Sequence, residues 1–110
     1  MRNALTIDVE DYYHVAAFDK VVQVAEWDHY ESRVEKNTDR VLSMLEDLHV
    51  KATFFILGWV AERHPQLVRR IVTAQHEVAS HGYTHRRVYT LTPAEVREEI
   101  RRAKDTIEAA

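Results

Sequence analysis

The chain has 110 residues, of which 45% are hydrophobic and 30% charged, with a formal net charge of −3 and no cysteine. That is room for one domain and not two, with too much apolar content for disorder, and it excludes disulfides and thiolate metal sites. Basic residues are spread over predicted helices rather than gathered on one stripe, which argues against a nucleic-acid partner.

Ala4-Leu5-Thr6-Ile7 is short, apolar and partly β-branched, and it runs straight into Asp8. It predicts a buried strand whose end carries acids. From Tyr12 to about Lys36 no period emerges; Tyr12, Tyr13, Phe18, Trp27 and Tyr30 stand there among charges. A connection of that length inside a compact domain is functional or has structure of its own. Its aromatic side chains fit a sugar groove and the private core of a long loop equally well.

Asn37 or Thr38 serves as an N-cap with Asp39 in the first turn. Val41, Leu42, Leu45 and Leu48 then share one helical face, and His49-Val50-Lys51 leads out. Ala52-Thr53-Phe54-Phe55-Ile56-Leu57, stopped by Gly58, predicts a strand buried on both faces. Trp59 to Arg63 predicts a helical turn or two, and Pro65 opens a helix carrying Leu67, Val68, Ile71 and Val72. Glu77-Val78-Ala79-Ser80 is the third short strand. Thr92-Pro93-Ala94-Glu95 is a capping box, and Val96, Ile100, Ala103 and Ile107 continue that helix to the last residues.

Strand and helix alternate three times, which predicts an α/β fold with a parallel sheet. The C-terminal ends of strands one and three carry the chemistry-bearing residues. Asp8, Glu10 and Asp11 follow the first strand, and His81 and His85 follow the third in a His-x3-His spacing. In parallel α/β folds that edge is where sites are built. Two neutral imidazoles and a carboxylate, with a position left for water, suit a catalytic divalent metal, and a spare carboxylate suits a general base. Blander roles exist for the same residues. Acids at a strand end can cap the following segment, and an isolated His pair is weak evidence of a metal. His14, His29, His49, His64 and His76 read as surface or supporting residues, His14 being the closest to the acids.

Three segments carry a resemblance: Thr6-Ile7-Asp8-Val9-Glu10-Asp11-Tyr12-Tyr13-His14, Lys51 through Gly58, and His76 through His85. Together they resemble the polysaccharide deacetylases, the NodB-homology group of carbohydrate esterases, in the right order and spacing. The Asp-Val-Glu-Asp-Tyr variant, with Arg33-Val34-Glu35 and Asn37-Thr38 downstream, resembles the branch found with bacterial exopolysaccharide and exosortase gene clusters. The resemblance implies a partial (β/α) barrel, with three βα units present out of about seven. Residues 1–110 are then expected to be the N-terminal part of a single domain.

The resemblance also implies hydrolysis of N-acetyl groups from amino sugars of a polysaccharide or oligosaccharide, with a divalent metal, usually zinc. His81 and His85 match the family's metal-binding histidines, and Asp8 matches its catalytic base. Many relatives have two adjacent aspartates, whereas Val9 follows Asp8 here. Asp11 is preferred as the metal carboxylate because it keeps the residue type. Glu10 competes, because along a strand it shares a face with Asp8. The family's later motifs, among them the histidine that acts as general acid, have no counterpart in the sequence, so these residues alone are expected to be inactive. The alternatives are a hydrolase of small amides or ureides on the same fold, and a non-catalytic module that binds metal or sugar. With acids this early in the chain and no long apolar run, a cytoplasmic protein without a membrane span is expected.

Overall fold

The apolar run from Ala52 to Leu57 becomes the centre of the molecule. In the computed structural model, which describes residues 1–110, its middle forms strand β2 (Thr53–Ile56), flanked by β1 (Thr6–Val9) and β3 (Glu77–Ser80). All pairing is parallel, in the order β1-β2-β3. Val9 lies opposite Ile56, and Ile56 opposite Ser80, so the three strands end level with one another. The ladder then runs on, with the Leu57 amide donating to the Val9 carbonyl (3.5 Å) and the His81 amide to the Ile56 carbonyl (2.9 Å). This register sets Glu10 and His81 on either side of the central chain.

Four helices complete the fold: α1 (Val34–Asp47), α2 (Gly58–Arg63), α3 (Pro65–Thr73) and α4 (Pro93–Ala109). Val9, Phe54, Ile56, Leu57, Val60, Leu67 and Ile71 are sealed from solvent and form the centre of the core. Burying such side chains stabilises by roughly 1.5–3 kcal/mol each. The capping box of α4 forms as its sequence requires: the Glu95 amide donates to Thr92 Oγ1 (3.3 Å) and Glu95 Oε2 accepts from the Thr92 amide (2.7 Å). No helix is long and apolar enough to cross a membrane.

Two expectations need correction. The outer strands are not buried throughout: Thr6, Asp8, Glu77 and Ser80 are exposed, because each outer strand has a neighbour on one side only. Helix α1 begins at Val34, ahead of the local caps at Asn37 and Thr38. Its first turn is capped from a distance. The buried Asp11 carboxylate accepts from the Arg33 and Val34 amides (3.0 and 3.1 Å) and from the Ser32 hydroxyl (2.9 Å). A carboxylate at a helix start satisfies free amides and complements the helix dipole.

The stretch before α1 has structure of its own. Short 3-10 segments at Tyr12–His14, Ala16–Phe18 and Val24–His29 fold it back on itself. Tyr13, His14 and Trp27 are buried against Trp59, while Tyr12 stays exposed. The Tyr13 and Trp27 rings are therefore mainly loop core, and with His14, Thr84 and His85 they edge a cavity beside the histidine loop.

Candidate metal centre

Strand alternation decides which acid faces the imidazoles. Val9 and Asp11 turn inward and are buried, whereas Asp8 and Glu10 share the opposite face. Glu10 Oε2 lies 3.0 Å from His85 Nε2 and 3.4 Å from His81 Nε2. One ligand atom from each of Glu10, His81 and His85 falls within 4.8 Å of the other two. Asp8 Oδ2 lies 3.9 Å from His81 Nε2, on a more exposed side chain. Of the two carboxylates that the sequence leaves in competition, the Asp11 one is engaged at the start of α1, and Glu10 stands with the two histidines.

Glu10 and His81 perturb each other. Burial works to raise the Glu10 pKa, but the adjacent His81 and the charges of His85 and His81 outweigh it, so the net shift is downward. The Glu10 carboxylate raises the pKa of His81 against the opposing effect of its burial. Each group thus steadies the charged form of the other.

The donor set fits a divalent ion. Glu10 Oε2 and His81 Nε2 are both shielded from solvent and make no well-aligned hydrogen bond, only ion-pair contacts with each other (3.4 Å) and, for Glu10, with His85 (3.0 Å), an arrangement that a shared cation would relieve. Bonds of about 2.0–2.2 Å in a tetrahedron put ligand atoms roughly 3.4 Å apart, close to the separations on Glu10. Two imidazoles and one carboxylate without sulfur suit zinc and leave a fourth position open.

The loop between the histidines is constrained at both ends. Gly82 takes φ +78° and His85 φ +59°, both left-handed. For Gly82 that region carries no steric penalty, whereas a residue with a Cβ needs support from its surroundings.

His14 departs from a surface role. Its Nδ1 accepts from the Asp11 amide (2.8 Å), and its ring is packed among Tyr13, Trp27 and Trp59. Burial lowers its pKa from the ordinary 6.5 to about 4. An unfolded chain binds the proton first, so stability is full above about pH 6.5 and falls as pH drops towards about 4, by up to about 3 kcal/mol. Urea titrations across that range should show the slope in the parent chain and a flatter one in His14→Asn. Equal slopes would rule His14 out as the source. His76 is likewise buried, with its Nδ1 accepting from the Ala52 amide (3.2 Å). A local sequence pattern announced neither role, because both partners are backbone amides supplied by the fold.

The family model described as polysaccharide deacetylase matches residues 14–110. This chain belongs to the polysaccharide deacetylase family. Among curated relatives, a chitooligosaccharide deacetylase from Bradyrhizobium sp. (strain ANU 289) is 41% identical over 73 residues, which is 66% of this chain and 33% of the relative. Among solved structures, a CE4 family pseudoenzyme from Bacillus anthracis superposes with TM-score 0.72 at 28% identity, over 96% of this chain and 30% of that one. A family 4 carbohydrate esterase from Streptomyces lividans, solved in complex with acetate, gives TM-score 0.70 at 27% identity, over 96% and 43%. The chain spans about a third of the length of the curated relative it matches. Its three parallel strands and their helices are the α/β arrangement of these neighbours, in part.

Proposed function

We propose that this chain serves the hydrolysis of N-acetyl groups on amino sugars of a polysaccharide, with a divalent metal, zinc by its donor set, held by Glu10, His81 and His85. The observation that carries the reading is the approach of those three side chains to within 4.8 Å of one another, with Asp8 beside them and free of any helix cap. A zinc ion at such a site lowers the pKa of its bound water towards ~7 and polarises a carbonyl.

The residues of the chain do the rest. His81 and His85 present Nε2 from a constrained loop, and Glu10 supplies the negative charge that offsets the cation. Asp8, 3.9 Å from His81 Nε2 and half exposed, is placed to accept the proton of an attacking water as the tetrahedral adduct forms. The proton taken up by Asp8 is the one this cluster can return to the departing amine, and no separate acid stands beside it, which supports little turnover by these 110 residues alone. The substrate class rests on the chitooligosaccharide deacetylase relative and on family membership.

The test is acetate release from an N-acetylated chitooligosaccharide by the protein isolated in its natural form, with and without Asp8→Asn. General-base removal should lower turnover about 10²–10⁴-fold while zinc affinity stays within a few-fold. Unchanged turnover in the variant would remove Asp8 from the base role. No acetate release by the parent protein would favour a second reading, a non-catalytic metal-binding or sugar-binding module, to which the pseudoenzyme neighbour lends weight.

A further inference from the structure

The two histidines are separated by three residues, and those residues are held by a helix that contributes nothing to the metal triangle. Glu99, on α4, turns its carboxylate back towards the loop. Its Oε2 accepts from the Tyr83 amide (3.1 Å) and the Thr84 amide (3.0 Å), and its Oε1 accepts from the Thr84 hydroxyl (2.7 Å). Three donors from two consecutive residues therefore converge on one partly buried carboxylate. Hydrogen bonds to a charged group are roughly twice as strong as those between neutral groups.

Further contacts hold the same loop. The Gly58 amide donates to the Gly82 carbonyl (2.9 Å) and the Trp59 amide to the Tyr83 carbonyl (3.2 Å). The Tyr83 hydroxyl donates to Glu62 Oε2 (2.6 Å) and accepts from Arg102 (2.8 Å), whose guanidinium also lies 3.7 Å from the centre of the Tyr83 ring. The left-handed backbone of Gly82 and His85 lies at the two ends of the Tyr83-Thr84 segment that Glu99 grips. A non-glycine residue keeps such a conformation only where neighbouring contacts over-determine it. Glu99 supplies such contacts next to His85.

We propose that Glu99 is a positioning residue for the His81/His85 pair, acting through the Tyr83 and Thr84 backbone to hold both imidazoles in a geometry ready for the metal. The inference rests on the metal reading given above. It predicts that the Glu99 carboxylate acts on metal affinity and ligand geometry beyond its effect on folding.

The test measures zinc affinity at neutral pH by calorimetry, and the visible spectrum of the cobalt-loaded chain, for the parent and four variants. Metal-free stability is followed in parallel by urea denaturation. Glu99→Ala should weaken zinc binding about 10–100-fold and alter the cobalt bands. Glu99→Gln, which keeps acceptor oxygen for the loop, should recover most of the affinity. Glu98→Ala, on the same helix and paired only with Arg101 on the exposed face, should bind as the parent does. If Glu99→Ala does not fold, Thr84→Val decides, since it removes one of the three donors alone: weaker binding supports the assignment and unchanged binding overturns it. A Glu99→Ala chain that folds and binds within twofold of the parent overturns the inference and leaves the metal centre standing. A parent chain that takes up no zinc or cobalt overturns both.

Discussion

Gly58→Ala should destabilise the metal-free chain by about 3 kcal/mol, as read from urea denaturation. Helix propensity alone argues the other way, since Gly58 opens α2 and alanine is the better helix former by about 1 kcal/mol. Sterics decide the sign. A Cβ at this position would meet Tyr83 Cδ2 at 2.4 Å and the backbone of Ala103 at 2.9 Å. Neither partner can yield cheaply: Ala103 lies in the buried face of α4, and Tyr83 is fixed at its hydroxyl, its ring face and its backbone. The displaced ring would also shift the loop between His81 and His85, so zinc affinity should fall with stability. A variant as stable as the parent would show that α2 and α4 are looser than their packing implies.

The second large effect separates two neighbouring acids. Glu10→Gln should weaken zinc binding by more than about a hundredfold, because loss of a ligand exceeds the 10–100-fold typical of a supporting residue. Its metal-free stability should change little. Asp11→Ala should do the reverse, leaving the donor triangle in place. It removes the acceptor of the Arg33 and Val34 amides and the Ser32 hydroxyl, at a cost of roughly 3 kcal/mol of stability. Calorimetry with zinc, run beside urea titration, checks both. If Asp11→Ala lost zinc while Glu10→Gln kept it, the carboxylate assignment made from the geometry would be reversed.

Those two acids also mark what a sequence reading can reach. Strands β1 to β3, the α4 capping box and the Pro65 start of α3 follow from local residue patterns, and parallel pairing follows from their alternation. The approach of the first strand's acids to the His pair follows too, since parallel strands of equal length end level. Residue type pointed to Asp11, whereas the acid that the fold sets beside the histidines is Glu10. Strand alternation held the better signal, for it pairs Glu10 with Asp8 on one face. The long-range cap on α1 was illegible, because the capping carboxylate lies more than twenty residues before the helix it starts. The same holds for His14 and His76, whose buried rings accept from backbone amides brought to them by folding, and for the reach of Glu99 from α4 into the histidine loop.

Anomalous diffraction at the zinc absorption edge, on crystals grown with zinc, tests the centre most directly. The expected result is one strong peak about 2.0–2.2 Å from Glu10 Oε2, His81 Nε2 and His85 Nε2, with Asp8 outside the coordination sphere. A peak held by Asp11, or a triangle that stays empty while zinc binds elsewhere, would contradict it.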